Sequence, residues 1–381
     1  MSPSPSHPDR RGVVAGLTGL AAAALAPGRA RAQARPGPLA RGINLSHWFA
    51  QSSHGYGAAH LAGFVTPAEL GRIAAAGFDH VRLSVEPAIL FAKDGPPALV
   101  EPVLAQLAGA LDRIAAAGLA VVVDLHPVGN AKDGLLTRGG ADDFVARWRL
   151  LAGALAPRDP DRTIIEILNE PEPLKGEAWW DLQGRALAAI REAGARQAVI
   201  VNGGAWSGID DLVAREPYPD RRLVYTIHHY APLLFTHQAT TWSWDVARRV
   251  SGLGWPVAAD QAEAAAAAAT RDAEAHGFVR DQIAQGQFSR AALEAQFDRL
   301  SLWQSRHGGL PVYVGEFGVY VRAAPLEARL AWVRAARESF ERRGWGWALW
   351  DNSAEFGFLA ATNDRRSLDP LMLRALGVQA S

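Results

Sequence analysis

Short apolar runs recur eight times along this chain, at Gly42–Leu45, His80–Ser84, Ala120–Leu125, Thr163–Leu168, Ala198–Val201, Leu223–Ile227, Val312–Gly315 and Gly346–Leu349. Such runs, rich in β-branched residues, predict strands buried on both faces, which is how parallel sheets are built. Between them lie Ala- and Leu-rich segments with helical spacing, for example Leu70–Ala76, Val103–Ala117, Phe144–Leu155, Trp180–Ala193 and Leu326–Arg342. Gly77, Gly118 and Gly344 follow three of these segments and predict left-handed caps. Strands and helices alternating in this number predict an α/β fold, a (β/α)8 TIM barrel. An open doubly wound sheet is the alternative; it would call for a Gly-rich phosphate turn after the first strand, where Asn44-Leu45-Ser46-His47-Trp48 stands instead.

The spacing breaks once. Residues 231–310, between strands six and seven, are far more than one helix and its loops require. They predict an insertion over one face, with Ala262–Ala275 as an Ala-rich helix. Within it, His237, Trp242 and Trp244 bring together aromatic and polar groups that either form a platform for a sugar ring or pack the insertion on the barrel.

In such a barrel every strand opens its C-terminal end onto the same face, so the tips can be read together. The fourth run ends in Asn169-Glu170-Pro171, and the proline stops the ladder. The seventh ends in Gly315-Glu316-Phe317-Gly318. Two strand-tip glutamates are what a retaining glycosidase needs. The other tips carry Arg82, His126, Asn202 to Trp206, His228 with Tyr230, and Trp350. His228 and Tyr230 share a strand face, while His229 points the other way.

Composition narrows the chemistry further. A formal charge of +0 and a pI near 7.2 supply no field for nucleic acid or an anionic membrane, and a neutral substrate is expected. The chain has no cysteine, which removes disulfides, thiolate metal sites and a cysteine nucleophile. Arg10-Arg11, an apolar run from Gly12 to Ala26 and the small-x-small pattern Ala32-Gln33-Ala34 read as an export signal at residues 1–34 that resembles the twin-arginine type. That leaves residues 35–381 as a single catalytic domain, periplasmic or extracellular and expected to be monomeric.

The motifs His-Val-Arg-Leu (80–83), Asp-Leu-His-Pro (124–127), Leu-Asn-Glu-Pro (168–171), His-His-Tyr (228–230), Gly-Glu-Phe-Gly (315–318) and Ala-Leu-Trp-Asp (348–351) resemble glycoside hydrolase family 5, the cellulase family, from about Arg41 to Gly357. The resemblance implies that Glu170 is the acid/base and Glu316 the nucleophile. It implies that Arg82, His126, Asn169, His228, Tyr230 and Trp350 line the sugar subsite. Trp206, His237 and Trp242 join them as candidate substrate contacts. Arg82 is then placed beside Glu316, Tyr230 can donate to the same group, Asn169 would bind the sugar 2-hydroxyl, and Trp350 would form the floor. Glu86, Glu166, Glu172 and Glu355 read as structural or loop acids. No cofactor or metal is implied. Two other readings compete: a metal-dependent hydrolase gathering His126, His228, His229 and Glu170, and a non-catalytic carbohydrate-binding barrel, which would be expected to have lost one of the glutamates. The expected substrate is a β-glucan, β-1,4-glucan first, with mannan and β-1,3-glucan as alternatives.

Overall fold

The computed structural model describes residues 38–353, 355–356 and 369–379; the export signal read at residues 1–34 lies outside them. Eight parallel strands close into a barrel in the order β1 to β8. They are β1 (Arg41–Phe49), β2 (His80–Val85), β3 (Ala120–Leu125), β4 (Thr163–Glu166), β5 (Val199–Asn202), β6 (Leu223–His229), β7 (Val312–Phe317) and β8 (Gly346–Leu349). Each of the eight sequence runs became a strand. The alternating helices are α1 (Pro67–Ala75), α2 (Glu101–Ala116), α3 (Arg138–Leu155), α4 (Gly176–Glu192), α5 (Ile209–Val213), α6 (Arg290–Arg306), α7 (Leu326–Arg342) and α8 (Pro370–Ala375). Gly77, Gly118 and Gly344 take φ values of 96°, 79° and 72°, as left-handed caps require.

Strand pleating divides the core in two. Alternate residues point into the barrel, so Ala120, Val122, Ile164, Ile200, Val224, Tyr313 and Ala348 form a small separate cluster. Their neighbours Val121, Val123, Ile165, Val199, Val314 and Trp347 face the helices and join the large outer core. The same alternation carries polar residues inward near the open end. Asn44, Arg82, Ser84, Asp124, Glu166 and Asn202 are all at most 1% exposed.

The long segment after β6 differs from expectation in two ways. Its last part is α6, a barrel helix packing Leu293, Phe297, Leu300 and Trp303, so the true insertion ends before Arg290. The helix expected over Ala262–Ala275 is also two helices, Ala262–Ala269 and Ala273–Ala284. Thr270 is extended, and Asp272 caps the second helix by accepting from the Ala275 N–H at 2.9 Å, a competing local bond that restarts the chain. The insertion is pinned to the loop after β7, where Tyr320 N–H donates to Thr236 O at 2.8 Å and Gly252 N–H to Ala323 O at 3.1 Å.

Candidate active site

The mouth of the barrel is built on a buried cation. Arg82 enters from β2 with no exposed surface. Its Nε and Nη2 donate to Glu166 at 2.7 and 2.9 Å, its Nη1 to Asn44 Oδ1 at 3.0 Å and Glu316 Oε1 at 2.7 Å, and Nη2 also to Asn169 Oδ1 at 3.0 Å. Asp124 lies 3.0 Å from the same Nη2. Against the cost of burial, the carboxylates of Asp124, Glu166 and Glu316 hold Arg82 well above its ordinary value. The guanidinium is thus fully occupied by the protein. Grouping Arg82 with the sugar-lining side chains needs correction: it orients Glu316 and Asn169 from beneath. Glu166 belongs to this same network, as does Asp124, which had no role assigned from sequence. Both sit on the inward face of their strands.

Glu316 reaches the mouth through an irregularity in β7. Pairing with β6 runs Ile227 to Val314 and then His228 to Glu316, skipping Gly315. By alternation Glu316 would face the helices; the extra residue turns it inward. A side chain at Gly315 would crowd this turn, because a Cβ would lie 3.0 Å from Thr226 Oγ1 and 3.2 Å from the His228 ring. The result is a buried carboxylate with Arg82 on one oxygen and the Tyr230 hydroxyl on the other at 2.9 Å.

Glu170 lies just past β4, which ends at Glu166, two residues earlier than expected. Its backbone sits in the left-handed region at φ 36°. Its Oε1 lies 2.8 Å from His228 Nδ1, and the ligand atoms of Glu170, His228 and Glu316 all fall within 4.8 Å of one another. Burial raises the Glu170 carboxyl to about 7, with Lys132 and Arg82 opposing that shift. Burial lowers His228 to about 4 and His126 to about 3, so both imidazoles are neutral at pH 7.

The remaining candidates separate into those at this centre and those away from it. His126 donates through Nδ1–H to Asp124 Oδ2 at 2.8 Å and stacks against Trp350, with ring centroids 5.5 Å apart and planes 19° from parallel. Asn169 is nearly buried, its carbonyl oxygen held by Arg82. His237 stands edge-on to Tyr230 at 4.9 Å and beside Phe356, so it buttresses Tyr230. Trp206 and Trp242 are 64% and 60% exposed. Trp242 touches Tyr320 edge-on, whereas Trp244 packs edge-on against Phe278 within the insertion. Asn202 closes no subsite: its side chain is spent on Leu168 O, Trp179 Nε1 and Gly204 N.

One residue of the metal-site reading stands apart from the others. His229 points out between α6 and α7, stacked on Trp332 at 5.5 Å and against Phe297 and Phe340. His126, His228, His229 and Glu170 therefore do not gather. Among the described residues, the three whose ligand atoms do gather are Glu170, His228 and Glu316.

A family model described as Cellulase (glycosyl hydrolase family 5) matches residues 46–356. The chain belongs to glycosyl hydrolase family 5. Endoglucanase C of Acetivibrio thermocellus is 25% identical over 342 residues, 88% of this chain and 97% of that protein. Cellodextrinase A of Ruminococcus flavefaciens is 26% identical over 319 residues, covering 80% and 83%. Among solved structures, Cel5A of Thermotoga maritima in complex with cellobiose superposes with a TM-score of 0.71 at 24% identity, covering 89% of this chain and 97% of that one. As a family 5 member, the protein is a glycoside hydrolase acting on polysaccharide or oligosaccharide, and its barrel is that of the family.

Three contributors to the family 5 centre escaped the sequence reading, Asn44, Asp124 and Lys132, while Glu166, read as a structural acid, holds Arg82 in place. For the first two a signal was present, since each falls at an inward position of its strand. Lys132 lies on the irregular loop after β3, and no periodicity marks it.

Proposed function

We propose that the protein is a retaining endo-β-1,4-glucanase in which Glu316 is the nucleophile and Glu170 the acid/base. The observation that carries this reading is the closeness of the two carboxylates, one oxygen of each lying within 4.8 Å of the other at the mouth of the barrel. Retaining pairs stand about 5–5.5 Å apart, whereas inverting pairs need about 6.5–9.5 Å to admit a water.

The surroundings of the two groups support different roles. Glu316 accepts from Arg82 and Tyr230, and a doubly bonded carboxylate is oriented for attack at an anomeric carbon. Glu170, raised to about 7 by burial, keeps a substantial protonated fraction at neutral pH, and that proton can pass to the leaving oxygen. After the sugar is transferred to Glu316, the ionised Glu170 takes a proton from the incoming water. The Asn169 amide nitrogen remains available for the sugar 2-hydroxyl, since its oxygen is taken by Arg82. Trp350, stacked on His126, offers a flat face to the ring.

The choice of β-1,4-glucan follows the relatives, which carry the names endoglucanase and cellodextrinase. The deciding experiment is proton NMR of the first-formed product from a soluble β-1,4-glucan, run beside a panel of mixed-linkage glucan, β-1,3-glucan and mannan. A β-anomer from the β-1,4-glucan with shorter internal fragments is expected. An α-anomer would remove Glu316 as nucleophile, and turnover confined to mannan or β-1,3-glucan would remove the substrate.

A further inference from the structure

The loop after β3 sends a lysine under the acid/base. Lys132, on the 3-10 turn Gly129–Leu136, is 5% exposed. Its Nζ donates to the backbone carbonyl of Glu170 at 2.5 Å and to both carboxylate oxygens of Glu172 at 2.9 and 3.0 Å. The same Glu170 carbonyl accepts from the Glu172 N–H at 2.8 Å. Residues 170–172 thereby close into one turn around the ammonium. That turn contains the left-handed Glu170, a conformation that costs on the order of 1 kcal/mol or more for a residue with a side chain and persists only where the surroundings impose it. Lysine is seldom buried without a partner, and a buried ion pair contributes little net stability. Its placement therefore calls for a reason other than stability.

We propose that Lys132 is a positioning residue for the acid/base, fastening the turn that aims Glu170 at His228 and Glu316 and setting the charge beneath its carboxyl. This rests on the reading of Glu170 as acid/base. The groups facing Glu170 are Arg82 from β2, Asp124 from β3, Glu166 from β4, His228 and Tyr230 from β6 and Glu316 from β7. Arg82 is engaged by three carboxylates, and His228 is neutral. Lys132 is the strongest influence opposing the upward shift of Glu170, and Glu172, its partner, bears the opposite charge.

Those opposite signs give a test that a merely structural role would not satisfy. Profiles of kcat/KM against pH are measured for Lys132→Met and Glu172→Gln on an unactivated β-1,4-linked oligosaccharide and on an activated aryl glycoside. Removing the cation should move the alkaline limb up by about half a pH unit, and removing the anion should move it down by a similar amount. Lys132→Met should lose about tenfold on the oligosaccharide and less than about threefold on the aryl glycoside, because only the poor leaving group needs a well-placed acid. Lys132→Arg should recover part of the loss. Should Lys132→Met fail to fold, Lys132→Arg and Glu172→Gln carry the comparison. Limbs that stay in place, or that move in the same direction, overturn the proposal. Glu170→Ala is measured in parallel. If it slows both substrates equally, the acid/base reading itself fails; if it discriminates between them and Lys132→Met does not, only the role of Lys132 is lost.

Discussion

Arg82 and Glu166 are joined inside the barrel by two parallel hydrogen bonds, Nε to Oε2 at 2.7 Å and Nη2 to Oε1 at 2.9 Å, spanning from β2 across β3 to β4. A fork-to-fork pair of this kind fixes the guanidinium plane. The nitrogens that remain, Nη1 and the second hydrogen of Nη2, are then directed at Glu316 and Asn169. Orientation of Glu316 thus depends on a buried acid two strands away from Arg82.

Replacing Arg82 should accordingly be costly in two separate ways. Arg82→Met leaves Glu166, Asp124 and Glu316 without their shared cation, and breaking a buried pair typically costs about 3–5 kcal/mol. Arg82→Lys keeps the charge but cannot satisfy the fork, so activity should fall by at least about a hundredfold while stability falls less. Thermal unfolding together with kcat on a soluble glucan separates the two effects. Near-normal turnover in Arg82→Lys would show that the fork does not orient Glu316.

The carboxylate pair should respond unequally to substitution. Glu316→Gln should abolish turnover on every substrate. Glu170→Ala should slow β-glucans far more than activated aryl glycosides, and added azide should restore some rate by attacking the glycosyl-enzyme from the side vacated by the acid/base. Absence of azide rescue in a folded Glu170→Ala protein would count against its role.

The raised value of Glu170 predicts two pH effects. Activity on natural substrates should decline above about pH 7, as the proton is lost. Stability follows the same group. Its folded value of about 7 lies above the ordinary 4.5, so burial exacts no penalty below about pH 4.5, and the penalty grows as pH rises to about 7. Glu170→Gln, which cannot ionise, should therefore match wild type at pH 4 and exceed it at pH 8 by about 3 kcal/mol. Denaturant unfolding at the two pH values checks the sign.

The insertion tryptophans should differ from each other. Trp242 is exposed beside Tyr320, and Trp242→Ala should weaken use of longer oligosaccharides by about 1–3 kcal/mol in kcat/KM, with short substrates little changed. Trp244 packs on Phe278, so Trp244→Ala should lower melting temperature and leave the chain-length preference alone. Equal kinetic effects from both would remove the assignment of Trp242 as a platform.

Export is tested at the N-terminus. Sequencing of protein recovered from periplasm or medium should begin after Ala34, and an intact Met1 confined to the cytoplasm would overturn the signal read from Arg10-Arg11 and the apolar run. Among the described residues no helix is long and apolar enough to cross a membrane.

Much of this molecule is determined by local pattern. Eight apolar runs suffice to predict eight strands, because a strand buried on both faces leaves a dense signature in a few consecutive residues, and the tips then follow from the common direction of parallel strands. The period of two also separates His228 and Tyr230 from His229, which the structure places against Trp332 outside the barrel. What local pattern does not contain is any relation that skips along the chain. The inward turn of Glu316 arises from a one-residue slip between β6 and β7, which the sequence marks only as a glycine. The extent of the insertion depended on whether Arg290–Arg306 packed under the barrel or over it, a choice made by contacts of Phe297 and Trp303 with distant strands and helices. The network around Arg82 and the reach of Lys132 to Glu170 join residues 38 to 234 positions apart. Such pairs are chosen by closure of the barrel, since only a closed ring of strands brings buried charges from β2, β3, β4 and β7 within hydrogen-bonding distance of one another.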